Sequence, residues 1–315
     1  MQALFADQFE HLLQAMNRLE QVLSRPVLLL AAGWHEPYSV NLGEDAAKRL
    51  IDLYVRLPDS DALPVLFIYG RGCSVAFADM LRRSNLPLHA SYVMGRTLGP
   101  TTSVALCSRS LVMLPGAGLG AADAVEVIEQ DYRAPSAEQW RVMPAEYKSM
   151  LLSAECAPHT RRLLLSELDA MSRQNLAERL LAAVLSSHFD REQREQVLEL
   201  VDALSLKRLG RELGLGVKEL MMLGLNARGP VESDELEAAL ELARQIEAEF
   251  AVLPVERPLF QDTELGEVEF ELATGEPGAL LASTQYAYYY ELDTGSPDPD
   301  SGMLRGAWKE LFSPF

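Results

Sequence analysis

Apolar residues along this chain follow two different rhythms, and the change between them divides it. Between residues 26 and 114, short unbroken apolar runs alternate with stretches whose apolar positions recur every three or four residues. PVLLLAA (26–32), VLFIY (65–69), LHASYVM (88–94) and SLVML (110–114) are of strand length. Between them, EDAAKRLIDLYVRL (44–57) sets Ala47, Leu50, Ile51, Tyr54 and Leu57 at helical spacing, and Pro58 closes that helix. GRG (70–72) reads as a turn, CSVAFADMLRRS (73–84) as a helix, GRTLGPTT (95–102) as a Gly/Pro/Thr turn and SVALCS after it as a helix. Unbroken apolar strands joined by helices predict an α/β core, with a parallel sheet covered on both faces and right-handed crossovers.

From about residue 140 to 250 the helical rhythm continues alone, through HTRRLLLSELDAMSRQNLAERLLAAVLSS to SDELEAALELARQIEAEFAVL, which opens on an N-cap signal at Ser233. Met221 and Met222, between two leucines, are expected to fill core. Beyond Pro254 the composition turns to Gly, Pro and Asp, with two strand patterns in GEVEFELATG and STQYAYYYELDTG. The expected organisation is an N-terminal helix (1–24), a domain at 25–229, and an acidic helix with a β-rich extension at 230–315.

Charge sharpens this division. Residues 230–315 hold 19 Asp and Glu against 4 Lys and Arg, which is −15 of the net −18 and leaves −3 for the rest. Such a tail repels phosphate, so nucleic acid is not an expected partner, whereas a basic protein partner or simple solvation is compatible with it. No apolar run is long enough to span a bilayer, and MQALFADQFEHLLQAMNRLEQVL is an acid-bearing amphipathic helix instead of a signal peptide, so no membrane association is expected. Cys73, Cys107 and Cys156 form neither a disulfide framework nor a zinc motif, which points to the reducing cytoplasm.

Candidate chemistry is sparse. PGAGLGAAD (115–123) satisfies a G-x-G-x-x-A pattern at Gly116, Gly118 and Ala121, but only after at least three strands, where a dinucleotide fingerprint belongs to the first. DPDSG (298–302) starts like a calcium loop, yet its twelfth position is Lys309. His11, His35, His89, His159 and His188 form no close pair, and His35-Glu36 lacks a second His one turn away, so no metal is expected.

The order of segments is more informative than any single motif. RPVLLLAA, the acidic helix start with its following strand and Gly turn (NLGEDAAKRLIDLYVRLPDSDALPVLFIYGRGCSVAFADMLR), and LHASYVMGRTLGPTTSVALCSRSLVMLPGAGLGAAD together resemble the serine dehydrogenase proteinase family. That family is related to signal peptide peptidase A, the Clp proteolytic subunit and the crotonases, and the resemblance covers roughly residues 25–225. It implies a Clp/crotonase-like core, assembly with copies of itself and no cofactor. Where such proteins carry a Gly-Gly pair facing the oxyanion, this chain reads Arg71-Gly72. Where they carry the nucleophilic serine, it reads Gly99, followed by Pro100, which has no N–H to donate. Lys148 lies at the separation from Gly99 that a Ser–Lys dyad needs and stands as a relic base. The reading is a degenerate serine peptidase acting in peptide or protein binding or as a scaffold. Two alternatives stay open: a hydrolase with a relocated nucleophile, at Ser103, Thr101 or Cys73, and a nucleotide- or acyl-CoA-binding protein. The STQYAYYYEL strand is a candidate occupant of the former active-site cleft.

Overall fold

The structure, a computed structural model, describes residues 5–33, 41–58, 61–70, 73–123, 143–153, 158–210, 213–250, 252–255, 269–272, 277–297 and 304–312. After helix α1 (Phe5–Leu23), the chain runs β1 (Val27–Ala32), α2 (Glu44–Val55), β2 (Val65–Tyr69), α3 (Val75–Ser84), β3 (Ala90–Met94), β4 (Arg96–Thr97), α4 (Pro100–Ala105), β5 (Leu111–Met113) and β6 (Gly118–Leu119). Helices α5 (Ala145–Leu152), α6 (Pro158–Leu185), α7 (Arg194–Ala203), α8 (Leu206–Leu209) and α9 (Val217–Met222) lead to β7 (Ala227–Arg228) and α10 (Ser233–Glu249). Strands β8 (Val252–Val255), β9 (Glu269–Leu272), β10 (Pro277–Ala282), β11 (Tyr286–Pro297) and β12 (Leu304–Phe312) complete it. None of the described helices is long and apolar enough to cross a membrane.

Local chemistry explains the boundaries. Ser74 caps α3 by accepting the Phe77 amide at 3.1 Å, and Asn85 ends it in the left-handed conformation that asparagine tolerates. Helix α2 opens on Glu44 and Asp45, whose charges suit a helix N-terminus, and stops at Val55, ahead of Pro58.

β1, β2, β3, β5 and β7 lie parallel and side by side in that order. Stepping always the same way across the sheet puts the connecting helices on one face. Leu50 of α2, Phe77 of α3 and Val104 of α4 accordingly share one core with Leu28, Leu30, Leu66, Ile68 and Val93. The alternate strand residues, Val27, Leu29, Val65, Phe67 and Tyr92, turn to the opposite face and pack under α1 and α10. Both faces are covered, so the strands read as continuous apolar runs.

Three of these strands are followed by a short extended segment in a second layer and then by a helix. Leu42 bridges Cys73 in parallel, β4 pairs with β6 in parallel, and Leu119 bridges Leu215. Helices α2, α3 and α4 start just beyond Leu42, Cys73 and β4.

The C-terminal strands extend this sheet instead of standing apart. β10 pairs antiparallel with β1, aligning Leu29 with Ala282 and Ala32 with Ala279, and β11 and β12 continue the antiparallel order to the sheet edge. Their junction with α2 carries a polar cluster beside its apolar packing. The Tyr288 hydroxyl donates to Asp52 Oδ2 at 2.7 Å, while Arg56 reaches Asp52 at 2.8 Å and Glu310 at 2.7 Å. Burial, reinforced by the Asp52 carboxylate, holds the Tyr288 phenol above its ordinary range. Tyr288→Phe is expected to cost about 1–2 kcal/mol in urea unfolding, because Asp52 loses a donor in a half-buried site. A value indistinguishable from zero would show that water replaces that bond.

Two expectations change here. The STQYAYYYEL segment lies within the main sheet, between β10 and β12, not in a cleft. Met221 and Met222 are exposed, at 58% and 87%, because α9 packs on the core through Val217 and Leu220 instead.

Candidate functional site

The turn after β3 carries the first candidate. Gly99 sits between β4 and α4 with φ 61° and ψ −147°, donates its amide to Ala121 O at 2.8 Å and accepts the Thr102 amide at 3.0 Å. Side chains avoid this backbone region, and a strained strand-to-helix turn is where hydrolases of the nucleophile-elbow type present a serine. Glycine adopts the conformation without strain and brings no hydroxyl. Pro100 takes the first helical position, where a missing N–H costs the helix nothing. The same absence leaves no donor there for an oxyanion.

The neighbouring hydroxyls and thiol are buried in the core. All six residues of α4 are buried. Thr101 Oγ1 donates to Cys73 Sγ at 3.2 Å, so the structure does bring these two candidates together. Burial pushes the Cys73 thiol up to about 12, against the opposing effect of the Thr101 hydroxyl, and holds it protonated at neutral pH. Thr102 Oγ1 donates to Gly120 O at 3.1 Å and therefore accepts from Thr97 Oγ1 at 2.9 Å. Ser103 Oγ is buried without a hydrogen-bond partner. Lys148 is half-buried on α5, which packs against α6, the helix that in turn packs on α3 and α4. Arg71 and Gly72 lie outside the described residues, as do His35, Glu36 and the DPDSG loop.

The glycine-rich run after β5 is a strand and a packing element. Gly118 donates to Gly95 O at 2.9 Å, Leu119 to Leu215 O at 2.9 Å, Gly120 to Thr97 O at 3.0 Å and Ala122 to Leu204 O at 2.8 Å. A phosphate cradle needs such amides directed at the ligand, and these are spent within the protein. A Cβ on Gly120 would stand 2.5 Å from Thr97 O, which accounts for glycine there by close approach alone. Asp123, buried at the end of the run, accepts from the Leu206 amide at 2.5 Å and from Gln174 at 3.1 Å, fastening α8 and α6. Among the described residues no group of His, Cys, Asp and Glu could hold a metal ion.

The second candidate is a cleft of about 290 Å³ at the carboxyl ends of β2, β3 and β5. Its floor is the chain leaving those strands: Tyr69 and Gly70, residues 94–96, and residues 114–116. Its wall is α10, through Leu240, Ala243, Arg244 and Glu247. Gly70, Gly95 and Gly116 all have positive φ, and a Cβ on Gly95 or Gly116 would meet nothing within 4 Å. Backbone is thus accessible at two adjacent strand ends, the position where open parallel sheets bind ligands. Sequence reasoning read Gly70 and Gly95 only as turns and Gly116 as the start of a G-x-G-x-x-A pattern, and it missed Arg96, Arg244 and Glu247, since α10 reaches the cleft by tertiary packing. A glycine at or just after the end of each of three successive apolar runs was the available signal.

Helix α10 is held there by a buried polar cluster. The Tyr92 hydroxyl donates to Glu235 Oε1 at 2.6 Å, Arg228 reaches both Glu235 oxygens at 2.9 and 3.2 Å, and the Val231 amide donates to Oε2 at 2.9 Å. Burial alone would raise the Glu235 carboxyl, but these donors outweigh it and hold the group below its usual range. Compared with known proteins, the chain matches no family model and has no significant match among curated proteins.

Proposed function

We propose that this chain is a binding or scaffolding protein on a Clp/crotonase-like core, a serine-peptidase relative without peptidase chemistry. The observation that carries the reading is Gly99, at the strand-to-helix turn in a backbone conformation that side chains avoid and followed by Pro100. The repeated order of strand, short second-layer segment and helix supports the Clp/crotonase-like assignment. Burial of Thr101 and Ser103 and the protonated state of Cys73 favour binding over a relocated nucleophile. Engagement of the Gly118, Leu119, Gly120 and Ala122 amides likewise weighs against a nucleotide cradle. The cleft beneath α10 is the binding site in this reading, an extended peptide its ligand, and the reducing cytoplasm its setting. Assembly with copies of itself belongs to the same proposal.

Treatment of the pure protein with a fluorophosphonate and, separately, with iodoacetamide is expected to leave Thr101, Ser103 and Cys73 unlabelled at neutral pH, as read by peptide mapping. General protein substrates should remain intact. Stoichiometric labelling at one of these residues, with hydrolysis abolished by its substitution, would overturn the reading.

A further inference from the structure

Resting on the assembly with copies of itself proposed above, we infer that two copies join edge to edge through β12, antiparallel about a twofold axis at Trp308, so that the main sheet continues from one copy into the other. β12 ends that sheet, with β11 on one side and, among the described residues, no strand on the other. It pairs with β11 in regular antiparallel register from Arg305 to Phe312, and every second residue along it turns its N–H and C=O outward. Another strand completes such a row.

Native edges are protected by brevity, proline, bulges or free charges. β12 is nine residues long and contains no proline, and its register shift lies before Arg305. Its described charges are paired within the same copy: Lys309 with Glu291 of β11, and Glu310 with Arg56 of α2 at 2.7 Å. Arg56 also holds Asp52, and Arg49 stands over the Trp308 ring at 5.2 Å, so two cations face two carboxylates on that side. Asp45 and Lys48 of the same helix pair with each other. A second copy of a protein at net −18 approaches most easily where charge is balanced. The edge is also uncovered, since α2 packs over β1, β10 and β11 and reaches β12 through Arg49 and Arg56, leaving Ala307, Lys309 and Glu310 exposed.

The strand is complementary to itself about its midpoint, which selects a second copy as the occupant. Residues opposed in an antiparallel pair share a face, so the axis lies at a residue and not between two. Centred on Trp308, the whole of β12 pairs, with Trp308 opposite the partner's Trp308 and Lys309 opposite the partner's Ala307. Centring on Ala307 or Lys309 leaves one end of the strand unpaired, and the second choice also opposes Lys309 to its own copy. One such contact closes the pair.

Sedimentation velocity of the full chain is expected to show a reversible monomer–dimer equilibrium with a Kd on the order of micromolar, since a single strand edge is small for a permanent interface. Ala307→Lys sets a like charge opposite the partner's Lys309 and is expected to weaken dimerisation about tenfold or more. Ala307 is exposed, so this variant should keep its wild-type circular dichroism. As a second reading, Ala307→Cys and Lys309→Cys mixed under oxidising conditions should crosslink to each other faster than either does alone, with wild type as the baseline, because opposed Cα atoms lie about 4.5–5.5 Å apart. A monomer at every concentration would overturn both self-assembly and this interface. An oligomer whose affinity Ala307→Lys leaves unchanged overturns the β12 interface and leaves self-assembly standing. Crosslinking of either cysteine variant with itself as fast as in the mixture overturns the register about Trp308.

Discussion

Replacing Gly70 with alanine is expected to remove about 3–5 kcal/mol of stability. Gly70 follows β2 with φ 102°, and a Cβ there would stand 2.3 Å from the carbonyl oxygen of Ala32. The obstacle is backbone, so no side-chain rotation relieves it. The ends of β1 and β2 would have to part where Ala31 aligns with Tyr69, inside a layer packed on both faces. The positive φ adds its own cost for any residue with a Cβ. Urea denaturation and thermal melting, monitored by far-ultraviolet circular dichroism, measure the loss, with a fall in Tm on the order of ten degrees. A loss below about 1 kcal/mol would mean that the two strands are not held at this separation.

The second large effect is expected at Glu235. Removal of its carboxylate by Glu235→Ala leaves the buried Tyr92 hydroxyl without its acceptor and the Arg228 guanidinium with the Gly229 carbonyl but no counter-charge there, at a cost of about 3 kcal/mol near neutral pH. Arg228 is about a third exposed, so water recovers part of its hydration and the estimate stays at the low end of what breaking a buried pair costs. The double variant Glu235→Leu, Arg228→Met is expected to be more stable than Glu235→Ala, since no charge is then stranded. The pH dependence follows from the depressed folded-state value of Glu235. Its contribution is fully present only above the ordinary value of 4.5, from about pH 5.5 upward where the carboxylate of the unfolded chain is ionised, and is lost as pH falls through the lower folded-state value. Wild type should therefore lose stability on acidification more steeply than Glu235→Gln. Parallel curves for the two would remove Glu235 from the acid response.

The parallel strands were legible because burial on both faces leaves the same mark in composition as in structure: PVLLLAA, VLFIY and SLVML each contain the strand they suggest. Helix α2 was legible through Ala47, Leu50, Ile51 and Tyr54 at helical spacing, and α3 as the run CSVAFADMLRRS after a glycine turn. β10 was not. Its Pro277-Gly278 start reads as a turn, its alanines and leucines carry little strand preference, and its partner β1 lies some 250 residues earlier, which no local pattern records. β12 was missed for a related reason, since Gly306 and the adjacent Lys309 and Glu310 break the alternation a strand is recognised by. Within the site, the sequence alone displays that residues 99 and 100 lack a hydroxyl and an N–H. It does not display that Gly99 takes a positive-φ conformation side chains avoid, that Thr101 meets Cys73, or that α10 roofs the strand ends. These depend on packing between segments far apart in the chain.

The pairing of β1 with β10 also bears on the order in which the molecule can be made. During vectorial synthesis β1 emerges early and finds β2 within forty residues, but its other edge, Leu29 to Ala32, stays open until residues 279–282 have left the ribosome. For that interval the nascent chain presents an unpaired, wholly apolar strand edge, the kind of surface that recruits chaperones or neighbouring chains. Chains arrested between α10 and β10 should accordingly be retained on chaperones or aggregate, and release should coincide with synthesis of the last antiparallel strands.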